Sequence, residues 1–305
     1  MKKTVIIIAG PTASGKTALA MLLAQHFSTQ IISADSRQCY KELNIGVAKP
    51  SAAELSLVHH YFINSHSITD NISAADYEKY AMVSVEKIFE KNNLAIMVGG
   101  TGLYIKAFCE GLDEIPAIDE AVRKTIVTNY NNGGIEWLQQ EVKKQDSEYY
   151  IKGEIFNPQR MMRALEVKFS TGQSITCFQR KQKKERPFNI IKTGLELPRP
   201  VLYNRINKRV DEMMEQGLEA EVKELMPFKH LNALQTVGYR ELFNFFEGQL
   251  SREKAIDLIK QNTRHYAKRQ MTWFKKDEGI HWVDAQDEHV AEASILHFIN
   301  LKRLS

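Results

Sequence analysis

The first third of the chain alternates short apolar runs with amphipathic stretches. Apolar and β-branched residues fill Thr4–Ala9, Ile31–Ser33 and 94–98, which predicts strands buried on both faces of a sheet. Apolar positions at helical spacing predict helices over 17–27, 74–91 and 103–109. Strands that alternate with helices are typical of a parallel sheet covered on both faces. The pattern therefore predicts an α/β fold with a doubly wound parallel sheet.

The rhythm changes after residue 112. Helical patterns cover 120–130, 135–144 and 158–170 with no strand pattern between them, and Asn157, Pro158 and Gly172 mark the bounds of the third helix. A strand pattern returns at 188–197, and helical patterns follow at 201–216, 235–247 and 251–276. We therefore predict a core formed by 1–112 and 196–305, interrupted by a helical insertion domain over 113–195.

Composition excludes several classes of protein. The 305 residues are 43% hydrophobic and 26% charged, which suffices for a packed core and argues against disorder. The three cysteines, Cys39, Cys109 and Cys177, lie far apart in sequence, so we expect neither a disulfide framework nor a zinc knuckle. This use of cysteine predicts a cytoplasmic location. No apolar run approaches the roughly 18 residues needed to cross a bilayer, so no membrane partner is expected. The net charge of +4 indicates a nucleic-acid partner only if it is unevenly distributed.

Residues 10–17 read G-P-T-A-S-G-K-T and match the phosphate-loop pattern G-x-x-x-x-G-K-[ST] between a predicted strand and helix. Backbone N–H groups in such a loop bind phosphate oxygens, the lysine adds a positive charge, and the final hydroxyl can ligate Mg²⁺. We expect Mg²⁺ at Thr17. The residues expected to bind a diphosphate are Gly10, Thr12, Ala13, Ser14, Gly15, Lys16 and Thr17.

The loop alone does not say whether the diphosphate belongs to a nucleotide. A kinase or ATPase is the obvious interpretation, yet the strand 94–98 ends without the acidic residue that often holds Mg²⁺. Asp35, just after the second strand, is the best-placed carboxylate, because ligands bind at the carboxyl ends of such strands. A diphosphate site facing a proton acceptor suits substitution at a carbon that bears diphosphate. A plain turn or N-cap role for Asp35 remains the alternative.

Six further segments resemble one family, the tRNA dimethylallyltransferases, also called tRNA isopentenyltransferases. They occur in the family's order and at similar spacing across nearly the whole chain, at 35–50, 98–104, 157–167, 203–210, 235–240 and 264–274. The resemblance implies transfer of a dimethylallyl group from dimethylallyl diphosphate to the N6 amine of the adenine 3′-adjacent to the anticodon. The phosphate loop would then hold a prenyl diphosphate.

The resemblance also implies roles for single residues. Asp35 would be the general base, Thr101 would position the adenine or the bridging oxygen, and Arg205 would hold the diphosphate together with Lys16, Thr17 and Mg²⁺. These roles suit the chemistry, because an aromatic amine is a poor nucleophile and charge grows on the leaving diphosphate. A solvated helix charge is the alternative for Arg205.

Contacts with the tRNA anticodon stem-loop are implied for a larger set. Two basic stretches point the same way: 264–276, which includes Lys268 and Arg269 and interleaves aromatic residues, and 179–192, which includes Arg180, Lys181 and Arg186. Solvated surface is the alternative for both stretches. The residues expected to contact tRNA are Asp35, Ser36, Arg37, Gln38, Thr101, Arg123, Gln159, Arg160, Met161, Met162, Arg163, Gly238, Tyr239, Arg240, Lys268 and Arg269.

The sequence departs from the family pattern at two points, and three other functions remain possible interpretations. Val47 stands where the family usually has threonine. The sequence lacks the cysteines of the zinc finger found in eukaryotic members, so a protein of the bacterial type is expected. We also expect it to act as a monomer. The rivals are an adenylate isopentenyltransferase acting on a free nucleotide, a P-loop small-molecule kinase, and a noncatalytic RNA-binding protein. The insertion and the basic C-terminal helix favour tRNA as the substrate.

Overall fold

The computed structural model describes residues 2–179 and 182–304, which divide into two units. The larger unit comprises the chain up to Cys109 and from Glu185 onward, and the helical unit is Glu110–Lys184. The predicted insertion, 113–195, ends too late, because Asn189–Glu196 forms a strand of the larger unit. No helix in the described ranges is both long enough and apolar enough to span a membrane.

Within the described residues, the larger unit contains a six-stranded sheet in which every neighbouring pair is parallel. The strand order is β3-β2-β4-β1-β5-β6. This confirms the predicted α/β class and the parallel sheet. The strands are β1 (Thr4–Ala9), β2 (Ile31–Ser33), β3 (His60–Tyr61), β4 (Leu94–Gly99), β5 (Asn189–Glu196) and β6 (Ile280–Asp284).

The central strand β1 has no exposed face. Val5 and Ile7 pack into one core cluster, and Ile6 and Ile8 pack into a second cluster on the other side of the sheet. Each buried aliphatic side chain of this size contributes about 1.5–3 kcal/mol. The apolar run that predicted the strand thus reflects burial on both faces.

Four helices precede the helical unit: α1 (Lys16–His26), α2 (Ala52–Leu57), α3 (Ala74–Phe89) and α4 (Gly102–Glu110). A capping box at Ser73 and Asp76 begins α3, as its sequence pattern predicts. The predicted helices at 17–27, 74–91 and 103–109 are confirmed, whereas α2 was not predicted.

Among its described residues, the helical unit has the α-helices α5 (Glu120–Gln145), α6 (Ser147–Lys152) and α7 (Pro158–Thr171) and a short 3-10 helix, Ile175–Phe178. Helix α5 is interrupted at Gly134, whose φ of 64° breaks it into the two predicted helices. The side chain of Asn157 accepts a hydrogen bond from the Arg160 N–H, and Gly172 ends α7 with a φ of 74°. These bounds are the predicted ones.

In the described residues after β5, the α-helices are α8 (Arg199–Glu215), α9 (Leu218–Glu224), α10 (Tyr239–Phe246), α11 (Arg252–Phe274) and α12 (Glu288–Leu304). The predicted helix over 235–247 begins too early, because Gly238 has a φ of 96° and only the residues after it are helical. Helices α8 and α11 agree with their predicted ranges.

Candidate active site

The phosphate loop (residues 10–17) connects β1 to α1 through a tight turn. Ala13 and Gly15 have φ angles of 63° and 90°, and Gly15 is the N-cap of α1. The Lys16 ammonium donates a hydrogen bond to the Pro11 carbonyl at 3.0 Å. The Ser14 hydroxyl is buried and has no hydrogen-bond partner among the described residues. The local geometry matches the predicted strand, loop and helix.

The side chain of Gln270, on α11, joins the phosphate loop to a second turn. Its Oε1 accepts from the Thr12 N–H, and its Nε2 donates to the Gly100 carbonyl, both at 2.9 Å. A Cβ on Gly100 would lie 2.2 Å from that Nε2, so a side chain at position 100 would displace the Gln270 amide. Sequence reasoning did not predict this residue.

Asp35 lies in the turn after β2. Its Oδ1 accepts hydrogen bonds from the N–H groups of Arg37, at 2.8 Å, and Gln38, at 3.3 Å. The turn role that the sequence left open is therefore present. Within residues 2–179 and 182–304, Oδ2 makes no hydrogen bond, which leaves one oxygen for a ligand or a proton.

Thr101 follows β4 and lies next to the Asp35 segment. Its Oγ1 accepts from the Ser36 N–H at 3.0 Å, and its own N–H donates to the Ala34 carbonyl at 3.1 Å. A Cβ on Gly99 would lie 2.2 Å from the Ala34 oxygen, so glycine lets the two strand ends meet. The structure thus brings Thr101 and Asp35 together.

Two cavities of the larger unit meet at Asp35. A chamber of about 70 Å³ is lined by Lys16, Thr17, Asp35 and Arg209, among others. A cavity of about 350 Å³ is also lined by Asp35 and Arg209. Val47 lines both, without the hydroxyl that the family pattern has there. Asp35 therefore lies where a diphosphate in the chamber and a second substrate in the cavity would meet.

The chamber carries excess positive charge. Burial, and then the nearby charge of Arg209, lower the pKa of Lys16 from 10.5 to about 8, while Asp35 opposes this change. Burial also lowers the pKa of Arg209. Two cations facing one carboxylate favour an anionic ligand. Arg209 was not predicted, although it lies one helical turn after Arg205.

Arg205 lies against the phosphate loop. Its Nη1 is 3.8 Å from the position of a Cβ on Gly15, and its Nη2 is 3.4 Å from the carbonyl oxygens of Ala285 and Gln286. It belongs to the lining of neither the chamber nor the cavity. In this conformation Arg209, and not Arg205, faces the chamber.

The chamber offers the ligand type that Mg²⁺ prefers. The Thr17 hydroxyl and the Asp35 carboxylate both line it, and Mg²⁺ binds oxygen ligands, usually with substrate phosphates and few protein groups. Among the described residues no three His, Cys, Asp or Glu side chains cluster to form a metal site. The donor set thus fits a cation that is held partly by a bound diphosphate.

The residues of the larger unit that were predicted to contact tRNA lie in different parts of that unit. The cavity is lined by Ser36, Arg37, Gly238, Arg240 and Arg269. Gln38 lines the chamber and donates to the carbonyls of residues 47 and 48, and the exposed Lys268 lies on α11.

Tyr239 is a correction to the predicted tRNA contacts. It is completely buried, and its hydroxyl donates to the Glu221 carboxylate at 2.5 Å. The side chain cannot touch RNA while this core is closed, because it packs against Gly46 in the wall of the cavity.

In the helical unit, the residues predicted to contact tRNA divide by helix face. Gln159, Arg160 and Arg123 are exposed, and Arg163 is half-buried. Arg160 pairs with Glu154, and Arg123 and Arg163 pair with Glu166 at 3.6 and 3.2 Å. Met161 and Met162, also predicted contacts, are buried in the core of the unit. That prediction is at odds with the structure, because both methionines lie on the inward face of α7.

Where the structure describes the basic stretch 179–192, Lys183 and Lys184 are exposed, whereas two other basic residues form ion pairs within the larger unit. Arg180 and Lys181 lie outside the described residues. The side chain of Arg186 is only 9% exposed and pairs with Glu78 at 2.7 Å, and Lys192 pairs with Asp277 at 2.7 Å. The predicted phosphate contact is therefore wrong for Arg186, whose charge is used inside the fold.

Comparisons with known proteins identify the family. The sequence profile described as IPP transferase matches residues 38–277. A tRNA dimethylallyltransferase of Christiangramia forsetii is 49% identical over 284 residues, which cover 93% of this chain and 94% of that relative.

Solved structures agree with this assignment. The tRNA isopentenylpyrophosphate transferase of Bacillus halodurans has a TM-score of 0.73 and 35% identity, covering 99% of this chain and 97% of that one. A eukaryotic dimethylallyltransferase that acts on tRNA has a TM-score of 0.77 and 26% identity, covering 93% of this chain and 74% of its own. The resemblance inferred from six sequence segments is confirmed, and the chain belongs to the IPP transferase family.

Proposed function

We propose that the protein transfers a dimethylallyl group from dimethylallyl diphosphate to the N6 amine of the adenine 3′-adjacent to the anticodon of tRNA, and releases diphosphate. The observation that carries the proposal is the position of Asp35, which lines both the chamber beside the phosphate loop and the larger cavity. A donor in the first and a base in the second would meet at its carboxylate.

The reaction is a substitution at carbon. The N6 nitrogen attacks the first carbon of the dimethylallyl group, the bond from that carbon to the diphosphate oxygen breaks, and Asp35 takes the proton that the amine loses. Lys16 and Arg209 stabilise the negative charge that grows on the diphosphate. Mg²⁺, held by Thr17 and the diphosphate, would supply further charge neutralisation.

A folded RNA loop can present its adenine only after the base is turned out of the stack. The cavity, about 350 Å³, lies within the usual size of small-ligand pockets, and its lining includes Arg37, Arg240 and Arg269. Guanidinium groups there suit the phosphates that flank an extruded base. This supports an RNA acceptor over a free nucleotide. We also expect the enzyme to act as a cytoplasmic monomer.

The test uses purified protein with an anticodon stem-loop and, separately, dimethylallyl diphosphate or ATP. Mass spectrometry of the digested RNA should show dimethylallyl adenosine and an equal amount of released diphosphate with the first donor only. Free AMP serves as an alternative acceptor and should stay unmodified. Transfer of a phosphoryl group from ATP, or modification of AMP but not of RNA, would contradict the proposal.

A further inference from the structure

The amide of Gln270 connects the two segments that carry the reacting groups. Gln270 is 6% exposed and bonds at once to the Thr12 N–H and the Gly100 carbonyl, each at 2.9 Å. The first bond reaches the loop that precedes Lys16, and the second reaches the turn that precedes Thr101. One side chain therefore fixes the separation between the diphosphate loop and the base side of the site.

From this geometry we infer that Gln270 is a positioning residue for the transfer reaction, a role that rests on the proposed function. It touches neither reacting atom in this assignment. It holds the phosphate loop and the turn at residues 99–101 at the separation at which the amine meets the donor carbon.

A primary amide meets both requirements of this position at any pH. The Thr12 N–H needs an acceptor and the Gly100 carbonyl needs a donor, and a carboxamide presents one of each on a single planar group. A methionine of similar length offers neither, so the half-buried Thr12 N–H and the buried Gly100 carbonyl would both lose their partner. An ionised glutamate can accept from Thr12 but sets a second acceptor against the Gly100 oxygen.

The bond to Thr12 also affects how the loop binds its ligand. In a phosphate loop the backbone N–H groups usually bind phosphate oxygens, but here Gln270 already occupies the N–H of Thr12. The leaving diphosphate is therefore held by the remaining loop groups and by Lys16. Tyr266, one turn earlier on α11, lines both the chamber and the cavity, so this helix closes the site from one side.

The decisive variants are Gln270→Met and Gln270→Glu, with Gln261→Met as the matched control. Gln261 is on the same helix and is exposed. We expect Gln270→Met to lower kcat about 10- to 100-fold, because misplacement by about 1 Å can have an effect of that size. The KM values for donor and RNA should stay within about threefold, since the groups that bind each substrate are retained. The control should match the wild type.

The glutamate variant separates positioning from general stability. A protonated carboxyl group can accept from Thr12 and donate to Gly100, so the kcat of Gln270→Glu relative to wild type should rise as the pH falls. The same ratio for Gln270→Met should not change with pH. A wild-type kcat in Gln270→Met, or a pH-independent ratio for Gln270→Glu, would overturn the inference.

Hydrogen exchange gives a readout that needs no turnover. The Thr12 amide should be protected in the wild type and exchange faster in Gln270→Met, while amides of β1 keep their protection. Equal protection of Thr12 in both proteins would refute the positioning role even if the enzyme used another donor. An inactive wild type with normal Thr12 protection would instead count against the proposed function alone.

Discussion

Replacing Lys16 by methionine should stabilise the ligand-free protein while it abolishes diphosphate binding. The ammonium of Lys16 is partly buried in the chamber next to Arg209, and its pKa falls from 10.5 to about 8. The folded protein thus holds a positive charge that its surroundings disfavour. Methionine has a similar length and carries no charge, so the substitution removes this unfavourable interaction.

The magnitude follows from the pKa difference. Each pKa unit corresponds to about 1.4 kcal/mol, so a fall from 10.5 to about 8 means that the charge destabilises the folded state by about 3 kcal/mol. The variant also loses the hydrogen bond to the Pro11 carbonyl, which contributes about 1 kcal/mol. We expect a net gain of about 2 kcal/mol in the free energy of unfolding at pH 7.

The gain should depend on pH in a defined direction. Below the folded pKa of about 8, Lys16 is charged in both states and the destabilisation is complete. Between pH 8 and 10.5 the folded state loses the proton while the unfolded state keeps it, so wild-type stability rises relative to the variant. The advantage of Lys16→Met should therefore shrink across this range.

Urea denaturation of both proteins at pH 7 and pH 10, without ligand, measures these differences. Adding inorganic diphosphate at about 100 times its Kd should then stabilise the wild type by about 2.7 kcal/mol and leave the variant almost unchanged. A variant less stable than the wild type at pH 7, or an advantage that grows toward pH 10, would refute the reasoning.

Three other substitutions test separate parts of the account. Asp35→Asn keeps an oxygen that accepts from the two backbone N–H groups, so RNA affinity in a filter-binding assay should stay near wild type. It removes the proton acceptor, so kcat should fall about 10²- to 10⁴-fold. Equal losses of kcat and RNA affinity would argue against a general base. Tyr239→Phe removes the hydroxyl that donates to Glu221 and should lower the free energy of unfolding by about 1.5–3 kcal/mol, whereas an unchanged urea midpoint would show that this bond is unimportant. Arg186→Met leaves the buried carboxylate of Glu78 without its guanidinium partner and should lower the free energy of unfolding by about 3–5 kcal/mol in urea denaturation. The control Lys208→Met removes an exposed ion pair and should change that free energy by no more than about 1 kcal/mol.

The strands that sequence predicted best are those buried on both faces. Such strands must be apolar along their whole length, so β1 and β4 were readable without any tertiary information. Two strands at the edges of the sheet were missed. The strand β3 has two residues, and β6 exposes His281 and Asp284, so neither produces a continuous apolar run.

The site was predictable where its geometry is local. The phosphate loop is one contiguous segment, and its residues lie where the motif places them. Gln270 contacts Thr12 across 258 residues of sequence, and the importance of Arg209 depends on its burial next to Asp35. No local sequence pattern predicts either of these roles. Met161 failed as a predicted RNA contact for a related reason, since resemblance locates a segment but does not tell which face is buried.

The most direct test of the central claim is a crystal structure of this protein with an unreactive thiolo analogue of dimethylallyl diphosphate and an anticodon stem-loop. The account predicts the diphosphate on residues 10–17 and the extruded adenine with its N6 within hydrogen-bonding distance of Asp35. An adenine bound away from Asp35, or a diphosphate bound outside the phosphate loop, would contradict it.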